Sequence, residues 1–496
     1  MMKRVFLISY ALVSAVTCTR PQSTPTDTLV MALSSGPATL DPRYATDAVG
    51  ERIDELIFDT LIRIGPDLRP LPRAAEKWQL DGHTYTFYLR PGLRFHNGRP
   101  LTREDVEFSL DAYRGARSPF ASNFDFIKAV RVTEKAGQIL LNIEVKTVSD
   151  KLLNGYLKFI KLLPKAETLE AGADFTNHLI GTGGYRFVRQ DANEIELESV
   201  TAKTKHLIFK IIRDDFTRYQ KLLKGEVDIA QMEITPDRVA DFQKRPDEFQ
   251  VFLYPGLNMT YMLVNFRDPW LAKMPAREAL SLALNRPEII RYKLYGQARE
   301  ATSLLTPQNP YFAQGLQAPA YDLSAAKKFL SEAGPPPSEI VLKTSNTPQA
   351  VDNGKVLAYQ MSQAGVQVKV RSYEWGTFYS DIKHGNFQLA TMKWVSVLDP
   401  DIYKLAFHST EKPPGRNRGS YSNPEVDRLL DQGTDEPDIS KRKAVFDRVQ
   451  KLILDDLAVI PLWYDEQVAI ARKNVMDYHP DSSGDYWSLF QVYKRR

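Results

Sequence analysis

Three stretches of the chain alternate apolar and polar residues at every second position. His83–Arg90 and Gly137–Val145 show this pattern in the first third of the chain, and Val366–Val370 shows it further on. A period of two is typical of strands that bury one face. The first two stretches therefore predict half-buried strands of a small α+β unit, and the third predicts a strand in a later part of the fold.

Helix signals occur between these strands. Thr102 followed by Asp105 predicts a capping box, in which the hydroxyl accepts a hydrogen bond from the third helical amide and the carboxylate reaches back. Asn423-Pro424 predicts a second helix start, because Asn caps well and Pro at the first helical position loses no hydrogen bond. Apolar residues from Val445 to Leu457 follow helical spacing until Pro461, which predicts a helix that ends before this proline.

The N-terminus has the pattern of an export signal. Lys3 and Arg4 precede an apolar run from Val5 to Val16, which is too short to cross a bilayer as a mature helix. We therefore predict a signal peptide at residues 1–17. Cys18, the only cysteine, follows this run and is predicted to carry a lipid; the alternative is an ordinary secretory peptide with a removed or free cysteine. The polar residues after it predict a tether, and a single cysteine allows no intramolecular disulfide.

Composition narrows the classes of function. The 496 residues predict two to four structural units, and 43% hydrophobic residues suit a globular core. The formal net charge of +4 falls to +2 when residues 1–17, with Lys3 and Arg4, are removed. This near-neutral balance gives no support for nucleic-acid binding. No later apolar run approaches the roughly 20 residues of a membrane helix, so we expect a soluble mature body.

Five segments carry a family resemblance, and their order along the chain matters more than any one of them. They are Pro37–Arg114, Gly181–Tyr185, Lys224–Ile229, Leu263–Asn265 followed by Arg277–Ala283, and Gly419–Leu430. Together they resemble the family 5 extracellular solute-binding proteins of ABC importers, the group with the dipeptide, oligopeptide and nickel binders. One departure is Gly184, which stands where this family has proline.

The resemblance implies an α/β fold of two lobes that close like a venus flytrap (class II), with an extra α+β subdomain on lobe one. Lobe one would comprise residues 28–50, 179–263 and 475–496. The extra subdomain would comprise residues 51–178, and lobe two residues 264–474. Residues 18–27 would hold the lipidated cysteine and the tether. Ligand binding would then shift the population toward the closed state by contacting both lobes.

The resemblance also indicates where a ligand binds. In peptide-binding relatives an Asp three residues after a Trp meets the ammonium group of the peptide, a charge-assisted hydrogen bond. Here the corresponding run is Trp394–Asp401, and the amine-binding position falls on Ser396 or Val397. Loss of this carboxylate argues against a free amine as the main anchor. Asp399 either replaces it or caps the following helix. Trp394 and Val395 are predicted to line the cleft, and the alternative for Trp394 is a tryptophan of the core.

Further cleft residues are implied by the same resemblance. Thr46, Asp47 and Ala48 form a loop that faces the cleft in relatives and offers mainly backbone groups. Asp47 is a second candidate for recognising a cation. Phe120 corresponds to an aromatic residue that reaches the pocket from the subdomain. Three aromatic residues of lobe two either stack on a ligand or fill the core, namely Tyr373, Trp375 and Tyr421.

The sequence gives little support for an enzyme. It has no G-x-S-x-G elbow, and Cys18 lies in the signal region, so no typical serine or cysteine nucleophile is visible. The seven histidines show no H-E-x-x-H pattern, and we predict no metal site and no cofactor. His96 belongs to a strand turn of the family and is predicted to be structural.

We therefore predict an exported, lipid-anchored, monomeric receptor that captures a peptide or a peptide-sized solute and delivers it to an ABC permease. It would lie in a periplasm or at a cell surface and would bind no nucleic acid. The alternative is an orphan receptor, sensor or chaperone for a non-peptide solute such as a metal chelate or an oligosaccharide. The sequence does not separate these, because the partner surfaces carry no motif.

Overall fold

The computed structural model describes residues 24–115, 118–148, 151–395 and 397–495. The strands of these ranges are β1 (Thr28–Leu33), β2 (Ile62–Ile64), β3 (Pro70–Pro72), β4 (Ala75–Asp81), β5 (Thr84–Leu89), β6 (Ile127–Lys135), β7 (Gln138–Val145), β8 (Tyr185–Gln190), β9 (Glu194–Ser199), β10 (His206–Ile211), β11 (Ile229–Gln231), β12 (Phe249–Val264), β13 (Ala298–Glu300), β14 (Ile340–Ser345), β15 (Val368–Tyr373), β16 (Leu389–Trp394), β17 (Val459–Arg472), β18 (Val475–Met476) and β19 (Tyr493–Lys494).

The α-helices of the same ranges are α1 (Ala48–Ile57), α2 (Arg103–Arg114), α3 (Lys165–Ala171), α4 (Asp215–Lys224), α5 (Pro236–Gln243), α6 (Met274–Leu282), α7 (Arg286–Glu288), α8 (Leu323–Ala333), α9 (Pro348–Gln363), α10 (Trp375–His384), α11 (Ile402–Phe407), α12 (Pro424–Asp435) and α13 (Ile439–Asp455). None of the helices in this part of the chain has the length and apolarity that a membrane crossing requires.

Within the described residues, one mixed sheet of eleven strands forms the centre of the fold. Its order is β15-β14-β16-β12-β17-β11-β1-β10-β9-β8, and β13 pairs with β17 beside this path. We call the end with β11, β1, β10, β9 and β8 the first lobe, and the end with β14, β15 and β16 the second lobe. The observed fold is thus the predicted two-lobed α/β arrangement.

Two long antiparallel strands, β12 and β17, belong to both lobes. The sixteen residues of β12 span roughly 50 Å at the usual rise of a strand. The pairing of β12 with β17 shifts register between Pro255 and Met259, and such a bulge bends a strand. At Gly256, inside this bulge, an added Cβ would lie 2.3 Å from the carbonyl oxygen of Asp465. The close approach of the two backbones at this point therefore requires glycine.

The cores follow from strand periodicity. On β1, Leu29, Met31 and Leu33 point into the main core of the first lobe, while Val30 and Ala32 point into a smaller core on the opposite face. This two-sided burial is typical of a central strand with parallel neighbours. β12 likewise divides its residues between two cores of the second lobe.

The predicted strands His83–Arg90 and Gly137–Val145 are confirmed as β5 and β7 of a four-stranded sheet with the order β4-β5-β7-β6. Phe87 of β5 and Leu141 of β7 lie in the same hydrophobic core as β1. The α+β unit is therefore fused to the first lobe through a continuous core.

The predicted helix starts are confirmed. Thr102 and Asp105 form the capping box of α2, and Asn423 caps α12 by accepting hydrogen bonds from two backbone amides. Two boundaries differ from the prediction. α13 begins at Ile439, because Asp438 caps it. β15 begins at Val368, because the amide of Val366 still bonds the end of α9.

Candidate ligand-binding site

The second lobe presents the carboxyl ends of three parallel strands at one edge of the sheet. β14 pairs in parallel with both β15 and β16, so Trp394, the last residue of β16, lies at this edge. Ligands of open α/β sheets bind beside such an edge. The indole of Trp394 stacks on the buried Tyr261 of β12, with ring centroids 6.3 Å apart and planes 12° apart. This contact fixes the ring at the start of the loop that leads to α11.

A cavity of about 860 Å³ lies between this loop and the first lobe. Its first-lobe wall comes from α1, β2 and the segment 483–487, and further residues come from Phe120 and the segment 156–159. Its second-lobe wall comes from the loop after Trp394, from α11 and from residues around Glu411 and Arg416. The cavity has the size of a small-molecule or peptide site.

Six of the predicted site residues line this cavity: Thr46, Ala48, Phe120, Trp394, Val395 and Asp399. Among them Val395 is the most open, with 64% of its surface exposed, whereas Phe120 is 8% exposed. Phe120 stacks on Phe159, which also lines the cavity. Phe120 thus forms a supporting wall rather than a protruding contact.

Asp47 does not line the cavity. Its carboxylate caps α1 by accepting hydrogen bonds from the amides of Val49 and Gly50, at 3.1 and 2.9 Å. It also accepts one from the amide of Ala38 at 3.0 Å. Its oxygens are engaged by the backbone, which explains why this loop aspartate is not turned toward a ligand.

The three predicted aromatic contacts of the second lobe also lie outside the cavity. Tyr421 is 3% exposed and its hydroxyl donates to Asp456, so it fills the core. Tyr373 packs beside the amino group of Lys343, which lies 5.0 Å from the centre of its ring. Trp375 is 55% exposed and stacks on Tyr379 at the N-terminus of α10.

Two further residues named in the sequence analysis, Ser396 and Cys18, lie outside the described residues.

Asp399 lines the cavity, but its carboxylate is held by the protein. It accepts a hydrogen bond from the amide of Asp401 at 2.8 Å, just before α11. The buried guanidinium of Arg442 lies 3.5 Å from Asp399 and 2.7 Å from Asp401. These contacts favour the structural alternative for Asp399. Of the two residues predicted at the family's amine-binding position, Val397 is 7% exposed and belongs to the core, and Ser396 lies outside the described residues.

The first-lobe wall carries charges that the sequence analysis missed. Glu55 of α1 lies 3.9 Å from the buried amino group of Lys161. Burial raises the pKa of Glu55 from 4.5 to about 7, although Lys161 opposes this shift. Burial also raises the pKa of Asp485, helped by the neighbouring charge of Asp481. Both carboxyl groups are therefore only partly compensated by protein cations.

Two arginine side chains of this wall pack on the same aromatic ring, that of Trp487. The guanidinium groups of Arg63 and Arg73 lie 4.8 and 4.2 Å from the centre of the Trp487 ring. Arg73 also forms an ion pair with Asp59 at 2.6 Å. These residues come from β2, from the end of β3 and from the C-terminal segment. No local sequence motif connects them, so only the fold brings them together.

The charges around the cavity balance. Its acidic residues are Glu51, Glu55, Asp399, Asp401, Glu411 and Asp485. Its basic residues are Arg52, Arg63, Arg73, Lys158, Lys404 and Arg416. Such a wall suits a ligand that carries both signs of charge or none. In the described ranges no three His, Cys, Asp or Glu side chains come together in an arrangement that could hold a metal ion.

Two lobes that share two long strands, with a large cavity at their junction, define a protein of the solute-capturing class. The family model described as bacterial extracellular solute-binding proteins, family 5 Middle, matches residues 69–413. The chain belongs to this family. The predicted family resemblance is thus confirmed.

Relatives and solved structures cover nearly the whole chain. The dipeptide-binding protein of Escherichia coli (strain K12) is 25% identical over 525 residues, covering 95% of this chain and 96% of that protein. The ABC transporter substrate-binding protein CtaP from Listeria monocytogenes has a TM-score of 0.84 at 24% identity, covering 96% of this chain and 100% of that chain. The oligopeptide-binding protein AppA from Bacillus subtilis, solved with a nonapeptide, has a TM-score of 0.74 at 22% identity, covering 96% and 100%. These structural likenesses show the fold.

Proposed function

We propose that this protein captures a peptide or a peptide-sized solute outside the cytoplasm and delivers it to an ABC permease. The observation that carries the proposal is the cavity of about 860 Å³ between the lobes, with its aromatic and balanced charged walls. The names of relatives support it, since a curated relative is a dipeptide-binding protein and a solved neighbour holds a nonapeptide.

The proposal includes export and anchoring. Residues 1–17 act as the signal peptide, Cys18 carries the lipid and residues 18–27 form the tether. The lobes divide at residues 28–50, 179–263 and 475–496 for lobe one, 51–178 for its subdomain, and 264–474 for lobe two. We further propose that closure bends the molecule at the bulge of β12 between Pro255 and Met259, where the paired strands pass from one lobe to the other.

A direct test measures ligand binding by thermal unfolding of the chain without residues 1–18. The panel contains di- to hexapeptides, N-acetylated peptides, sugars and nickel chelates. A ligand at 100 times its Kd adds about 2.7 kcal/mol to the free energy of unfolding. Stabilisation by peptides supports the proposal. Stabilisation only by sugars or chelates would contradict it and would favour the non-peptide alternative.

Trp394→Ala tests the cavity itself. Loss of an aromatic contact in this site should weaken peptide binding about tenfold, which corresponds to about 1.4 kcal/mol. Trp375→Ala is the matched control, because Trp375 lies at the same edge of the second lobe and does not line the cavity. Calorimetric titration should show weaker binding for the first variant alone. Equal affinity for the wild type and Trp394→Ala would remove Trp394 from the site.

A further inference from the structure

Two arginines contact the same indole ring but differ in their partners. Arg73 is neutralised, because it pairs with Asp59 at 2.6 Å and donates to the carbonyl oxygen of Glu55 at 2.9 Å. Arg63 forms no ion pair and no hydrogen bond within the described part of the chain. Its guanidinium lies 4.8 Å from the centre of the Trp487 ring, and its charge acts on the nearby carboxylate of Asp485 without direct contact. Its donors are therefore unsatisfied by the protein, and the residue lines the cavity.

The position of Arg63 is fixed from both sides. It lies between the buried residues Ile62 and Ile64 on β2, which pairs with β3. Trp487 is held in turn by Phe490, whose ring packs edge-on at 4.7 Å, and by a hydrogen bond from its own amide to Asp485 at 2.9 Å. A guanidinium stacked on an aromatic ring keeps its in-plane donors free for a planar, bidentate acceptor.

We propose that Arg63 is the anion anchor of the site and binds a carboxylate group of the ligand. This inference rests on the proposed function and specifies the class of solute: peptides or peptide-sized molecules with a free carboxylate. The anchor lies on the first lobe and is presented by Trp487 of the C-terminal segment.

The other cations of the cavity are less suited to this role. Lys404 pairs with Asp431 at 2.8 Å, and Arg52 interacts with the hydroxyl of Tyr486. Arg416 is exposed, and the amino group of Lys158 packs over Phe159. Arg63 combines a planar donor group, a half-buried position and a stacking partner that orients it. Arg52 is also half-buried and lies 5.8 Å from the centre of the Tyr486 ring, but the hydroxyl of that tyrosine already engages its guanidinium.

The opposite wall determines how such a ligand lies. The loop of the second lobe contributes the apolar side chains of Trp394, Val395, Val397 and Leu398 to the cavity. A ligand held by its carboxylate at Arg63 therefore turns its uncharged part toward this loop. Replacing the carboxylate by an amide removes the charge that the anchor recognises and leaves the rest of the ligand unchanged.

The test compares di- to pentapeptides as free acids and as C-terminal amides, with the chain lacking residues 1–18. Calorimetry is carried out on the wild type, Arg63→Ala, Arg63→Lys and Arg69→Ala. Arg69 is the matched control, because it lies in the turn between β2 and β3, its side chain is 70% exposed and it does not line the cavity. The wild type and Arg69→Ala should bind the acids about 10- to 100-fold more tightly than the amides.

Arg63→Ala should lose this preference by binding the acids more weakly while binding the amides as before. Arg63→Lys should keep only part of it, because an ammonium group lacks the bidentate fork. If Arg63→Ala does not fold, an unchanged preference in Arg63→Lys overturns the inference. The inference about Arg63 is wrong if Arg63→Ala keeps the preference for acids over amides, or if the wild type binds acids and amides equally. Neither result contradicts the proposed function. A wild type that binds no peptide overturns both.

Discussion

Glu55 gives a prediction whose magnitude follows from the structure. It lies on α1 at the cavity, where burial raises its pKa from 4.5 to about 7. Lys161 and Lys158 oppose this shift, and Asp485 and Glu51 add to it. Because the pKa is higher in the folded state, the native protein binds more protons than the unfolded chain between these values, and its free energy of unfolding falls as pH rises from 4.5 through 7.

The perturbation is Glu55→Gln, which replaces the titrating carboxyl group by an amide of nearly the same shape. Each unit of pKa corresponds to about 1.4 kcal/mol, so the shift of Glu55 makes the wild type roughly 3 kcal/mol less stable above pH 7 than below pH 4.5. Glu55→Gln does not lose this stability at high pH, because its amide does not ionise. Relative to the wild type, its free energy of unfolding should therefore rise by up to that amount between pH 4.5 and pH 8.

The assay is urea unfolding of the ligand-free chain at half-unit steps from pH 4.5 to 8, with the variant and the wild type side by side. Glu170→Gln is the control, because Glu170 is an exposed glutamate of α3. Its curve should run parallel to that of the wild type. If the difference between Glu55→Gln and the wild type stays constant across this range, the carboxyl group does not titrate as argued and the reasoning is refuted.

Two further predictions concern groups that the protein itself engages. Arg442→Met leaves the carboxylates of Asp399 and Asp401 without their buried cation and should lower the free energy of unfolding by about 3–5 kcal/mol in urea unfolding. Adding Asp401→Asn should recover part of this loss, and a purely additive double variant would contradict the pairing. Asp47→Ala removes the cap of α1 and should cost about 1 kcal/mol in thermal unfolding without changing peptide affinity. A loss of affinity at unchanged stability would return Asp47 to the ligand site.

Those features of the fold that depend on residues close together in the sequence were predictable. The capping box at Thr102 and the Asn cap at Asn423 act within one turn, so their residues suffice. The family motif at Gly181 is less local. A Cβ on Gly181 would lie 1.9 Å from the carbonyl oxygen of Ile57, so this glycine lets the loop pack on the end of α1. The sequence shows the motif, but only the fold shows why the motif needs a glycine at this position.

The candidate site was predictable only in part. Thr46, Ala48 and Trp394 lie in or beside recognisable motifs, and the structure brings them to one cavity. Arg63 and Trp487 could not be predicted, because they are more than 400 positions apart and are joined only when the C-terminal segment packs beside β2. Asp47 was a second candidate for recognising a cation, because the sequence alone does not show that backbone amides already engage its carboxylate.

The distribution of charge between the lobes bears on how closure would work. On the second-lobe loop between Trp394 and Asp401, Val397 is apolar and Arg442 holds the carboxylates of Asp399 and Asp401, so this loop offers a ligand mainly apolar side chains. The first-lobe wall instead presents Arg63 with its unsatisfied donors. A ligand can shift the population of closed molecules only through contacts that the open state lacks. Charged groups would thus bind the ligand to the first lobe in both the open and the closed state. Burial of the apolar part of the ligand against Trp394 would occur only in the closed state, and its free energy would favour closure.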